Sequence, residues 1–118
     1  MIDLNKVEGI YLQAGTTDMR KGITGLLGLA EQIVRKEDMA HRLFLFCGRD
    51  KRNIKILETD YDGYWLYQKR LVTGKFAWPK AKDSVTSIDK RQLKWLLEGL
   101  SVIQPTAHEN VLHLKEEI

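Results

Sequence analysis

Carboxylates crowd one short segment of the 118-residue chain: Asp60 and Asp62 flank Tyr61, with Glu58 just upstream. Carboxylates at this spacing can bind a divalent ion or divide acid and base work between them, as in a metal-dependent nuclease. The same residues suit a tight turn, because Asp bonds readily to nearby backbone, and Gly63 follows directly. The turn reading is preferred, since neither the spacing nor the closing Glu of a calcium loop is present. His41, His108 and His113 are scattered, and the last two lie five apart instead of at the four-residue spacing that puts two imidazoles on one helical face. Ser84, Ser87 and Ser101 lack the strand–turn–helix context of a nucleophile. Gly22, Gly25 and Gly28 do not match a phosphate-binding loop. The lone Cys47 cannot close an intrachain disulfide or build a cysteine zinc site, and its place at the end of an apolar run predicts a packed thiol. Together these residues predict no catalytic group, no metal and no cofactor.

The cations are better organised. Residues 42–94 carry thirteen basic and six acidic groups, against a net −1 before them and −3 after them. Arg49, Lys51 and Arg52 share one loop; Lys69 and Arg70 end a strand; Lys75 and Lys80 bracket Phe76 and Trp78, and Lys82 follows. Cations interleaved with aromatics suit a single-stranded nucleic acid, with bases stacking on rings and cations tracking phosphates. Rings at strand positions are more often core, which predicts that Trp65, Phe76 and Trp78 are buried.

Those side chains must be positioned by a sheet. Leu43–Cys47, Ile54–Glu58, Tyr64–Arg70 and Gly74–Pro79 are short aliphatic and aromatic runs separated by turn residues, the pattern of an antiparallel meander. Asp62-Gly63 is the strongest hairpin signal, since Gly accepts the positive φ of tight turns. A first strand is predicted over Val7–Leu12, and a last short one over Val85–Ile88. Thr16, Thr17 and Asp18 read as a helix opening, with apolar residues at Ile23, Leu26, Leu27, Ala30, Ile33 and Val34 on one face. Gly22, Gly25 and Gly28 form an edge that would let this helix lie close to the sheet, or equally mark a regular helix that begins only near Leu26. A second helix is marked by Asp89 and Gln92 in a capping box, Ile88 and Leu93 as a staple, a stripe of Leu93, Leu96, Leu97 and Leu100, and Gly99 as its stop. The expected fold is α+β: an antiparallel β-meander sheet with two main helices packed on one face. Residues 1–105 are read as a single domain and 106–118 as a flexible C-terminal tail. No apolar run reaches the ~18 residues of a membrane span, so a cytoplasmic location with no membrane partner is expected.

Taken in order, several motifs resemble a known family. They are Tyr11-Leu12 with Gly15, Thr17-Asp18-Met19-Arg20-Lys21-Gly22, Leu43-Phe44-Leu45-Phe46, Lys55-Ile56-Leu57 and Asp60 with Asp62-Gly63. Lys69-Arg70-Leu71, Gly74-Lys75-Phe76 with Trp78-Pro79, and Leu96-Leu97-Glu98-Gly99 complete the series. The ordered set resembles the TnpB accessory proteins, the second open reading frame of insertion sequence family sixty-six, over residues 7–100. Two departures are visible: Glu58 and Thr59 stand where the family pattern has aromatics, and nothing after Pro105 has a counterpart. The resemblance implies a non-enzymatic protein that assists DNA transposition beside a separate DDE-type transposase. It would bind DNA, the transposase or both through Arg20, Lys21, Arg49, Lys51, Arg52, Lys55, Lys69, Arg70, Lys75, Lys80 and Lys82. The alternative is an adaptor for the transposase with no DNA contact of its own. The sequence does not give an oligomeric state.

Overall fold

The run Leu43–Cys47 dictates the architecture. Five apolar residues in succession leave neither face of a strand polar, so the strand needs cover on both sides. The computed structural model, which describes residues 2–83 and 85–102, provides it. Five strands, β1 (Gly9–Leu12), β2 (Arg42–Cys47), β3 (Asn53–Thr59), β4 (Tyr64–Arg70) and β5 (Ser87–Ile88), form one sheet in the order β4-β3-β2-β1-β5. β2, β3 and β4 are the expected antiparallel meander, with Leu45 opposite Ile56 and Ile56 opposite Tyr67. β1 departs from it by running parallel to β2, because a helical crossover, α1 (Ile23–Ala30), joins them.

The α+β class is as expected, but the two helices lie on opposite faces of the sheet, not on one. Phe44, Phe46 and Leu57 point to one side and pack with Leu26 and Ala30 of α1. Leu43, Leu45, Cys47, Ile54 and Ile56 point to the other and pack with Leu93 and Leu96 of α2 (Lys90–Leu97). The physical reason is the two-faced burial of β2 and β3.

Phe76 and Trp78 are core residues on the α2 face, as their ring types predict, but Trp65 is 55% exposed, because its strand β4 is the edge of the sheet. Phe76 and Trp78 are not on a strand, however. Their segment crosses the end of the sheet, with Phe76 N–H donating to Lys51 O (2.7 Å), Trp78 Nε1 to Gln13 O (2.8 Å) and Gly15 N–H to Pro79 O (2.9 Å). Gly15 adopts φ +79°, a region other residues enter only with strain, and so lets the chain leave β1 sharply.

α2 begins as expected: Asp89 accepts from Gln92 N–H, and the Gln92 side chain accepts from Asp89 N–H. Gly99 ends it at φ +88°, although Leu100 is exposed and lies outside the stripe. α1 starts later than its cap signal, at Gly22, because Asp18 is used elsewhere. A Cβ on Gly22 or Gly28 would meet nothing within 4 Å, so the glycine edge is no close approach to the sheet. The hairpin at Asp60–Gly63 forms, with Asp60 N–H donating to Gly63 O (2.8 Å), yet Gly63 does not take a positive φ. The tail 106–118, with His108 and His113, lies outside the described residues, as does the boundary at 105.

Candidate nucleic-acid interface

Topology gathers the cations. β1 and β2 end, β3 begins and β4 ends at the same end of the sheet, as their pairing registers require. The loop after β1 brings Arg20 and Lys21 there; the β2–β3 loop brings Arg49, Lys51 and Arg52; β4 delivers Lys69 and Arg70. Lys75 precedes Phe76, which is bonded to Lys51, and Lys80 follows Pro79, which is bonded to Gly15, so both join the same end, with Lys82 just beyond. All of these are exposed except Lys51, which is half-buried. Carboxylates collect at the other end, where β1 and β2 begin and the β3–β4 hairpin turns: Asp3, Glu8, Glu37, Asp38, Asp60 and Asp62, with Glu58 near the end of β3. Lys6, Arg35, Lys36, Arg42, Lys90 and Arg91 lie among or beside them, so this end is close to balanced while the loop end is strongly net positive.

Lys55 is the exception among the predicted contacts. It is 9% exposed, and its Nζ donates to Met19 O (2.7 Å) and Lys21 O (2.9 Å). It is a strut that holds the loop after β1, not a free cation. That role was signalled by Ile54 and Ile56 on either side of it in a strand buried on both faces.

The two loops enclose a cleft of about 670 Å³ lined by Thr16, Thr17, Asp18, Met19, Arg20, Gly48, Arg49, Asp50 and Asn53. Its carboxylates are already engaged. Asp18 accepts from Arg20 N–H (2.9 Å) and faces the Arg20 guanidinium (Nη2–Oδ2 2.8 Å), which holds its carboxyl well below the usual range. Asp50 accepts from Arg52 N–H (3.0 Å) and Asn53 Nδ2 (3.1 Å), and those bonds lower its pKa. Thus Asp18 organises the loop rather than capping α1. Gly48 sits where a Cβ would lie 2.7 Å from Met19 Cγ, so the two loops meet this closely only with glycine there. Sequence reasoning did not single out Asp18, Asp50 or Gly48 for this cleft; their only signal is the adjacency of cations and turn residues.

At the opposite end Asp60 Oδ1 accepts from Tyr61 N–H (2.7 Å), the behaviour of a turn residue. Cys47 is fully buried, and burial pushes its thiol up to about 11. Tyr67 Oη donates to Glu58 Oε1 (2.7 Å); loss of solvent first and this bond second push its phenol up to about 12. Because the folded value lies above the ordinary 10.0, the stability it contributes is complete below pH 10 and lost as the pH rises through about 12. An absorbance titration of phenolate formation should therefore contain one late-titrating tyrosine, which Tyr67→Phe removes.

A small α+β protein with a five-stranded sheet and nine exposed cations gathered at one end is the class this fold and surface define. Residues 8–107 match the family described as IS66 Orf2 like protein, and the chain belongs to that family. Membership implies a role in IS66 transposition, and the family is generally not catalytic. The chain is similar to the uncharacterized protein y4hO of Sinorhizobium fredii (strain NBRC 101917 / NGR234), with 32% identity over 96 residues, 81% of this chain and 84% of that protein. It is also similar to the uncharacterized protein y4jC of the same strain, with 26% identity over 94 residues, 78% of this chain and 80% of that protein. No solved structure matches it. Among the described residues no helix is long and apolar enough to cross a membrane.

Proposed function

We propose that the chain is a non-enzymatic accessory factor of IS66 transposition that holds DNA against the basic end of its sheet. The observation that supports this most is the meeting of cations from four separated chain segments at one end, where they outnumber the carboxylates Asp18, Asp50 and Asp83. Flexible Arg and Lys side chains on loops make mostly phosphate contacts, which position a protein without reading sequence. The binding would accordingly be weakly sequence-selective and strongly salt-dependent. Arg20 contributes less than its exposure suggests, because its guanidinium is already paired with Asp18.

The test is a fluorescence-anisotropy titration of duplex and single-stranded DNA. Replacing Arg49, Arg52 and Lys75 together by Ala should weaken binding roughly tenfold or more, since each phosphate contact carries its own share of counterion release. Removing Glu37 and Asp38 at the other end should leave affinity unchanged or slightly raised. Equal loss from both sets would contradict a localised interface.

One observation favours a second reading. Tyr64 and Trp65 on edge strand β4 are 47% and 55% exposed, one large ring on each face of the sheet edge, as a protein partner gripping that edge would use. No DNA binding alone, but capture of DNA-bound transposase, would make the chain an adaptor.

A further inference from the structure

Strand β4 is the edge of the sheet opposite β5, and its outer side is unpaired among the described residues. The parity of its backbone can be read from the two ends of the hairpin. Asp60 N–H donates to Gly63 O, and Leu71 N–H donates to Arg52 O. In an antiparallel pair, residues alternate between those that bond across and those that face out. Tyr64, Leu66, Gln68 and Arg70 therefore turn their N–H and C=O groups away from β3. A seven-residue edge of this kind is a template for another strand.

Three features specify a second copy of this chain as the occupant. First, four of the seven exposed large apolar side chains among the described residues flank this edge: Tyr64 and Trp65 on opposite faces of β4, with Tyr61 before it and Val72 after it, at 88% and 92% exposure. Second, the edge admits a two-fold without slippage, as any antiparallel pairing centred on an inward-bonded residue does. An antiparallel two-fold centred on Tyr67 sets Leu66 against Gln68 and Tyr64 against Arg70, so all four outward residues meet outward residues, with about eight backbone hydrogen bonds. Third, the strand is bipolar: Asp60 and Asp62 lie at its start, Lys69 and Arg70 at its end. The two-fold lays each acidic turn on the other copy's basic end, and sets Lys69 beside Trp65 and Arg70 beside Tyr64, where a cation can rest on a ring.

We propose that β4 pairs antiparallel with β4 of a second copy about a two-fold axis at Tyr67, joining the two five-stranded sheets into one. The proposal goes beyond the DNA reading and does not rest on it. Lys69 and Arg70 then serve the interface more than DNA, and the remaining cations of the two copies point to opposite ends of the joined sheet.

The experiment uses the full chain. Light scattering coupled to gel filtration should give twice the 13.7 kDa chain mass at micromolar concentration. Tyr67→Cys should then cross-link to itself on mild oxidation, because centred non-hydrogen-bonded pairs bring Cα atoms to about 4.5 Å, within disulfide reach. Trp65→Cys and Lys69→Cys should not cross-link to themselves, and the buried Cys47 stays silent. Should the cysteine variants misfold, charge reversal gives a separate reading. Lys69→Glu/Arg70→Glu and Asp60→Lys/Asp62→Lys should each weaken self-association roughly tenfold or more, and the two variants mixed should form a heterodimer. A monomer at all concentrations overturns the proposal. So does a dimer that cross-links at 65 or 69 instead of 67. A monomer that dimerises only after removal of residues 103–118 assigns the edge to the chain's own tail, and one that pairs only with transposase assigns it to that partner; both overturn it.

Discussion

Phe44→Ala should destabilise the folded chain by about 3–5 kcal/mol, read as a shift in the midpoint of chemical denaturation. Phe44 is fully buried on the central strand and stacks on Tyr11 at 5.5 Å between ring centroids. It lies in the cluster that ties α1 to the sheet, with Leu26, Ala30, Phe46 and Leu57. Truncation removes the ring's transfer free energy and leaves a cavity beneath α1, walled by β2 and β3, which are paired on both sides and cannot collapse into it. The loss would be a large part of the ~5–15 kcal/mol that holds an ordinary domain together. A cost below about 1 kcal/mol would mean that α1 does not pack as described.

Lys55→Met should cost about 2–3 kcal/mol, because it removes two hydrogen bonds from a charged donor and leaves their acceptors to find others. The acceptors are the backbone carbonyls of Met19 and Lys21, thirty-six and thirty-four residues away in the chain. The loss should appear in the unfolding midpoint and as faster proteolysis between Thr16 and Gly22, in the absence of any DNA. Lys55→Met with unchanged stability but weakened DNA binding would return Lys55 to the surface cations.

Signals carried within a few residues were legible in the sequence. Asp89 and Gln92 cap α2 as read, Gly99 stops it, and Asp60–Gly63 turns the hairpin. Signals that depend on distant partners were not. Thr16–Asp18 has the chemistry of a helix cap, but Asp18 turns to Arg20, and Thr17 N–H donates to Cys47 O (2.7 Å) at the end of β2. Gly74–Pro79 has strand-like residues, but its backbone partners are Lys51 and Gly15 in separate loops rather than a neighbouring strand. The opposite-face placement of the helices was present in the unbroken apolar run Leu43–Cys47, which alternation-based reasoning treats as one-sided. The candidate interface was legible as residue types only. That Arg20, Arg49, Lys75 and Lys80 share one end of the molecule depends on the parallel pairing of β1 with β2 and on the crossing segment, neither of which leaves a local trace.

The central claim is that the basic end of the sheet meets phosphate. Its most direct test is the affinity of the unmodified chain for duplex DNA across a series of salt concentrations. The account predicts that log affinity falls linearly with log salt, with a slope of about −0.9 for each phosphate engaged, so that several contacts weaken binding steeply toward physiological salt. Affinity that holds constant across the series, or no binding even at low salt, would contradict it.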